Sequence, residues 1–133
     1  MKMPAALLLV AIAALGGCTT ARSPGWSLAG TAWQITQIDG QAPAKPDAAH
    51  VRFEGDRLSA SVGCNAIGGK YRVDDNRLIA GPLISTRKFC DGEVGAQEQA
   101  VNALLAAAPI VSHDGDRLQL DSGGHTLDLR KKS

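Results

Sequence analysis

The sequence predicts a mainly β domain of antiparallel strands that carries one α-helix. Apolar and polar residues alternate in several short runs, the period of a strand with one face in a core and the other in water. Clusters of Gly, Asp, Asn and Ser separate those runs at short intervals, as hairpin connections require. One stretch, residues 92–108, changes to a helical spacing of its apolar residues.

The amino-terminal segment stands apart from that pattern. Lys2 supplies a positive charge, Ala5 to Leu15 form an apolar run, and Leu15-Gly16-Gly17-Cys18 places small residues before a cysteine. Charge, apolar run and small-residue cut site make the layout of a secretory signal peptide. The cysteine that follows resembles the bacterial lipobox. That resemblance implies removal of residues 1–17 as a lipoprotein signal peptide and acylation of Cys18. An uncleaved spanning helix is one alternative, and it needs about 20 apolar residues, more than precede the Gly-Gly pair. A plain signal peptide that leaves Cys18 as a free thiol is the other. Thr19 rather than Asp follows Cys18, so the expected location is the bacterial outer membrane, lipid-anchored, with the domain facing the periplasm. Residues 18–27 read as a lipidated linker. Nine extended residues span only about 30 Å, which keeps the folded part near its membrane.

Within the domain, Trp33 and Ile35 share one face of an opening strand. Val51 and Phe53 flank Arg52; Leu58, Ala60 and Val62 alternate with Ser59 and Ser61; Tyr71 and Val73 flank Arg72. After residue 109, Leu118 and Leu120 flank Gln119, and Leu127 and Leu129 flank Asp128. Gly55-Asp56, Asp74-Asp75-Asn76, Asp114-Gly115-Asp116 and Ser122-Gly123-Gly124 supply the turns. Three of those turns lead into an Arg-Leu pair, at 57–58, 77–78 and 117–118. Each reads as a hairpin exit with arginine in water and leucine in the core. The irregular spacing argues against a repeated anion site. In residues 92–108, Val94, Val101, Leu104, Leu105 and Ala108 share a helical face, Asp91 suits the N-cap, Glu93 suits the first turn, and Pro109 ends the helix. Aromatic residues are only 4% of the chain, so the core rests mainly on Val, Ile, Leu and Ala.

Charge and cysteines bound the function. The 14 basic and 13 acidic residues become equal once Lys2 leaves with the signal peptide, and a balanced domain gives no footing for nucleic acid. Arg130-Lys131-Lys132 reads as a solvated tail. With Cys18 used by the anchor, Cys64 and Cys90 remain as an even pair in an oxidising compartment, which favours a disulfide. Two free buried thiols are the alternative. A bridge would close a loop of about 26 residues, worth roughly 3.5 kcal/mol by loop entropy.

Two motifs could hold chemistry. Gly63-Cys64-Asn65-Ala66-Ile67-Gly68-Gly69-Lys70-Tyr71 suggests a tight bend with close backbone approach. It lacks the Lys-Ser/Thr of a phosphate loop, and His50, His113 and His125 all lie away from Cys64, which therefore has no local base for nucleophilic work. In Thr86-Arg87-Lys88-Phe89-Cys90-Asp91-Gly92, Cys90 can bridge to Cys64 and pin the helix start to the Gly-rich bend, with Thr86 and Arg87 bonding nearby backbone. Neither motif has the paired Cys or His spacing of a zinc site. No catalytic residue, metal ligand or cofactor is expected.

Together, Leu28-x-Gly30-Thr31-x-Trp33, Phe53, Gly63-Cys64-Asn65, Gly69-x-Tyr71, Thr86-Arg87-x-x-Cys90, Glu98 and Leu118-x-Leu120 resemble the META domain family, which includes heat-shock lipoproteins of the HslJ type. The likeness runs over residues 28–130. Gly63, Asn65, Gly69, Tyr71, Thr86 and Arg87 stand out in it as a candidate structural motif. Ile67 takes a place where the family often has an aromatic, and Lys88-Phe89 replaces a frequent Met-Ala. The resemblance implies a small antiparallel β-barrel of lipocalin-like topology with one α-helix packed against it. Because Trp33 and Ile35 share a face of the opening strand, Trp33 is expected inside the barrel near the Gly63–Tyr71 bend. The resemblance also implies a lipoprotein associated with envelope stress or antibiotic tolerance and with no established reaction. The expected role is non-catalytic, through binding or stabilising another envelope component, an envelope protein being one candidate partner. A carrier barrel for a small apolar ligand or lipid is the alternative function, and a cysteine-dependent hydrolase a more distant one.

Acylation at Cys18 is directly measurable. Intact mass of the processed chain is expected to show residues 1–17 removed and lipid on Cys18, and Cys18→Ser is expected to stall processing or release the protein from membranes. An unmodified Cys18 on the processed chain would refute the lipobox reading.

Overall fold

The structure, a computed structural model, describes Gly16 and residues 26–132. The expected signal peptide (residues 1–17, Gly16 apart), Cys18 and most of the linker lie outside the described residues.

Among the described residues, nine strands and one α-helix follow in the expected order. They are β1 (Thr31–Ile38), β2 (His50–Glu54), β3 (Arg57–Ser61), β4 (Ala66–Asp74), β5 (Arg77–Ala80), β6 (Ile84–Ser85), α1 (Gly92–Ala106), β7 (Ile110–Asp114), β8 (Arg117–Asp121) and β9 (Thr126–Lys131). Every pairing is antiparallel. Apart from β6, each strand pairs with the next in the chain, and β9 returns to β1. The result is a closed eight-stranded up-and-down barrel. The far edge of β4 is shared: β5 pairs with Tyr71–Asp74, and β6 with Ile67 and Gly68. The thinnest seam joins β5 to β7 through one register pair, Arg77 with Ile110. Backbone bonds from Leu78 N to Pro109 O and from Val111 N to Asn76 O reinforce it.

The turn chemistry explains the hairpins. Gly55, Asn76 and Gly115 all have φ near +60°, which glycine adopts freely and asparagine tolerates. Beyond each turn the arginine is exposed and the leucine is buried, as expected for Arg57-Leu58, Arg77-Leu78 and Arg117-Leu118.

An eight-stranded barrel is just wide enough for its own side chains to fill, and they do. Trp33, Ile35, Val51, Phe53, Ile67, Leu78, Leu118, Leu120 and Leu127 are each at most 2% exposed. Trp33, Val51, Ala60 and Ile67 form one register row across β1 to β4. Ile67 therefore acts as a core residue in the position where the resembled family often has an aromatic. The Trp33 ring meets His113 edge-on at 6.0 Å, while the ring that meets Tyr71 in the bend motif is Phe53, at 4.9 Å. Trp33 Nε1 donates to Thr31 Oγ1 at 2.7 Å, which satisfies the indole.

The helix packs against β5 and β1 and buries Ala100, Val101, Leu104 and Leu105. It ends at Ala106, two residues before the expected limit, because Ala108 has left-handed backbone at φ 49° ahead of Pro109. Asp91 occupies the N-cap position, but its side chain makes no cap hydrogen bond. The first turn is held instead by what surrounds Cys90.

Trp33→Ala removes the largest filled volume of the core, and such truncations cost about 3–5 kcal/mol. Chemical denaturation is expected to show that loss. An unchanged midpoint would mean that Trp33 does not hold the barrel together.

Candidate functional site

The two motifs singled out in the sequence meet at one corner of the barrel. After β3 the chain bends through Val62, Gly63 and Cys64, with Gly63 at φ 110°, a conformation that side chains rarely adopt. The Lys45 stem lies over Gly63, and Lys45 Nζ donates to the Gly63 carbonyl at 3.3 Å. Gly68 and Gly69 are not part of this bend; both lie within β4. Gly69 is needed there for close approach, since a Cβ would come within 2.9 Å of the Pro82 carbonyl oxygen. Leu83 packs beside it, so the segment between β5 and β6 lies directly on the β4 backbone.

Cys64 and Cys90 are joined by a disulfide, with their Cα atoms 6.2 Å apart. The bridge fastens the bend to the start of α1, as expected. Gly95 completes the closure: a Cβ there would overlap the Cys90 carbonyl oxygen, so the first turn of the helix packs directly on the Cys90 backbone.

Asn65 is the hub. It is 4% exposed, and all of its polar atoms except the carbonyl oxygen are engaged with the two flanking segments. Its backbone N–H donates to Glu98 Oε1 and its Nδ2 to Glu98 Oε2, both at 2.8 Å. Nδ2 also donates to the Lys88 carbonyl at 3.0 Å. Its Oδ1 accepts from the Lys88 N–H at 2.8 Å and from Thr86 Oγ1 at 2.9 Å. Thr86 Oγ1 in turn accepts from the Ala66 N–H at 3.0 Å. One asparagine thus ties the bend, the segment before the helix and the helix itself. Glu98 is 9% exposed, and its carboxylate is matched by neutral donors. Among the described residues the only ion pair is His125 with Asp39.

Gln97 adds a second tie. Its Oε1 accepts from the Ala44 N–H at 2.8 Å, and its Nε2 donates to the Ala42 carbonyl at 3.0 Å. Gln97 and Glu98 therefore hold α1 to two loops at the same end of the barrel. The expected role of Thr86 is seen. That of Arg87 is not: its side chain is exposed and makes no hydrogen bond among the described residues, because the Lys88 backbone, one residue on, takes the place at Asn65. Tyr71 lies away from the hub. Its hydroxyl donates to the Gly55 carbonyl at 2.9 Å, and burial, then the charge of Asp56, raise its pKa.

Elsewhere the polar groups are structural. Asp39 at the end of β1 accepts from the Thr126 N–H at 2.9 Å and faces His125 Nδ1 at 2.8 Å, which joins two turns. The His125 hydrogen bond, then that from Thr126, hold its carboxyl below the usual range. A shallow depression of about 600 Å³ lies over β7, β8, β9 and β1, with exposed Thr36, Gln37, Ser112, Gln119 and Arg130 along it. Its lining mixes polar and apolar groups in about equal measure, and it opens to the outside of the barrel. While the bridge is closed, neither Cys64 nor Cys90 offers a free thiolate.

Comparison with known proteins agrees with this architecture. The META domain family matches residues 26–133. A solved structure from Burkholderia xenovorans is 27% identical, with a TM-score of 0.63 over 80% of this chain and 84% of its own. Another solution structure, 18% identical, superposes with a TM-score of 0.67 over 75% of this chain and 87% of its own. A crystal structure of a DUF4847 family protein from Bacteroides vulgatus has the same fold at 13% identity, with a TM-score of 0.57 over 80% of this chain and 96% of its own. No curated protein matches the chain.

The bridge has a measurable signature. Cys64→Ser and Cys90→Ser are each expected to cost roughly 2–4 kcal/mol, and the double variant little more than either, since each removes the same bond. Two alkylatable thiols in native, periplasm-expressed Cys18→Ser protein would contradict the bridge.

Proposed function

We propose a non-catalytic role in the bacterial envelope for this chain, which belongs to the META domain family. In this reading the protein is lipid-anchored through Cys18 in the outer membrane, faces the periplasm, and acts in stress or antibiotic tolerance by binding another envelope protein. The filled barrel carries the proposal. Twenty-one buried apolar residues form one core cluster, which leaves the outer surface as the working part. A carrier needs an enclosed apolar cavity with a few polar groups; here the interior is filled by the core cluster and the depression over β7, β8, β9 and β1 is external, which favours surface binding over the carrier alternative.

The segment between β5 and α1 supplies a contact surface. Ile84 is 72% exposed and Phe89 is 89% exposed. Large apolar side chains gain most when a partner covers them. They are presented on a fixed support, since the disulfide and Asn65 pin the backbone on either side of Phe89. Little ordering entropy then remains to be lost on binding. The short linker confines any partner to components near the same membrane.

Site-specific photocrosslinking in living cells tests this reading. A crosslinker at position 89 is expected to capture a discrete envelope protein, and one at the exposed Arg52 on β2 is not. Phe89→Ala is expected to leave stability within about 0.5 kcal/mol, as for surface substitutions generally, while lowering capture from position 84. Equal, diffuse labelling from positions 89 and 52 would count against a binding role.

A further inference from the structure

The geometry points to a second state of the Asn65 corner: when the Cys64–Cys90 bridge is reduced, Cys64, Cys90 and Glu98 form a binding site for a zinc-like divalent cation. The Sγ atoms of both cysteines and a carboxylate oxygen of Glu98 lie within 4.8 Å of one another. Around a tetrahedral zinc ion, with Zn–S about 2.3 Å and Zn–O about 2.0–2.2 Å, neighbouring donors sit about 3.5–3.8 Å apart. Cys90 Sγ and Glu98 Oε2 are already at 3.7 Å. Once the S–S bond opens, the two sulfurs need only move apart to the same spacing, and their Cα separation of 6.2 Å leaves room for that rotation.

Glu98 supplies the independent sign of a missing charge. The residue is 9% exposed, and its carboxylate has no cation within ion-pair distance among the described residues. Buried carboxylates are ordinarily paired or bound to metal. Its two oxygens are oriented by the Asn65 N–H and Nδ2. Asn65 is itself fixed by Lys88 and Thr86. Outer partners of this kind orient ligands in metal sites. Two thiolates and one carboxylate favour zinc, cadmium or cobalt(II) over magnesium or calcium. Both cysteines are partly exposed, so water can reach the fourth position.

The chemistry balances with a dithiol as reductant. The dithiol gives two electrons and two protons, becomes its own disulfide, and leaves Cys64 and Cys90 as thiols. The divalent ion then binds both sulfurs and displaces those two protons to solvent. One crosslink between the bend and the helix start is exchanged for another. The disulfide keeps the site closed to metal, so occupancy reports the redox state of the compartment.

Cobalt(II) titration of the full chain carrying Cys18→Ser is the test. The protein is reduced with a dithiol, freed of it under argon, and compared with its oxidised form. The reduced form is expected to bind one equivalent, with sulfur-to-cobalt charge-transfer absorption that zinc abolishes, and the oxidised form to show none. Cys64→Ser and Cys90→Ser are each expected to weaken that absorption. Glu98→Gln is expected to weaken binding at least about 10-fold, the low end for loss of even an outer partner. A second measurement needs no variant: zinc is expected to slow alkylation of both thiols in the reduced chain. No cobalt absorption on the reduced form, the same absorption on the oxidised form, or alkylation indifferent to zinc would each overturn the site.

Discussion

The contact between Asn65 and Glu98 is the constraint on which the rest of this corner depends. The barrel closes by backbone pairing of successive strands and needs no helix to do so. The helix, inserted between β6 and β7, must still be held at a defined place over the end of the barrel. A buried carboxylate is costly to bring out of water. Here it is made tolerable by two hydrogen bonds from a single residue in the β3–β4 bend. Hydrogen bonds to a charged group are worth about 1.5–3 kcal/mol each, and losing one partner leaves the other uncompensated. The helix position, the bend and the segment carrying Phe89 are thereby set together. The disulfide repeats the constraint covalently a few ångströms away.

This arrangement separates stability from function in space. The interior is occupied by the residues that make the barrel close: a Trp33–Val51–Ala60–Ile67 row on one side and the leucines of β8, β9 and α1 on the other. What the domain presents to its surroundings is the outside of a rigid body. The most apolar part of that outside is the segment fixed by Asn65. A polar hub that would otherwise be only a structural tie therefore also decides the shape of the proposed contact surface.

Much of the fold was legible in the sequence. Strict alternation in Val51-Arg52-Phe53 and Leu118-Gln119-Leu120 reports a half-buried strand locally, and the Arg-Leu exits after positive-φ turns mark where strands begin. Barrel closure was not readable from alternation, because it lies in the pairing of β9 with β1. The resemblance to a known family supplied it. β6 escaped notice because two residues carry no period, and Gly68-Gly69 looked like a bend because glycine marks both turns and close backbone contacts. At the site, Gly63, Asn65, Thr86 and the two cysteines were marked, and the structure brings them together. Gln97 reads as an ordinary helix residue, and Glu98 stands out only as part of the family resemblance, with no role attached to it. Their burial follows from the loops that cross the helix, which no local spacing reveals. A signal was present in their adjacency to Val101 and Leu105, three and seven residues after Glu98 on the apolar face. Arg87 was marked and lies outside, since the bonds that matter come from the backbone beside it.

The central claim is that Asn65 and Glu98 act as one unit, and a double-mutant cycle measures that directly. Asn65→Ala, Glu98→Gln and the combined variant are compared by denaturant unfolding with the disulfide intact in each. The account predicts that the two changes are strongly non-additive, with a coupling energy of about 1–3 kcal/mol, within the range for residues sharing one hydrogen-bond network. Additive losses, with coupling below about 0.5 kcal/mol, would contradict it and leave the disulfide as the sole fastening of the helix.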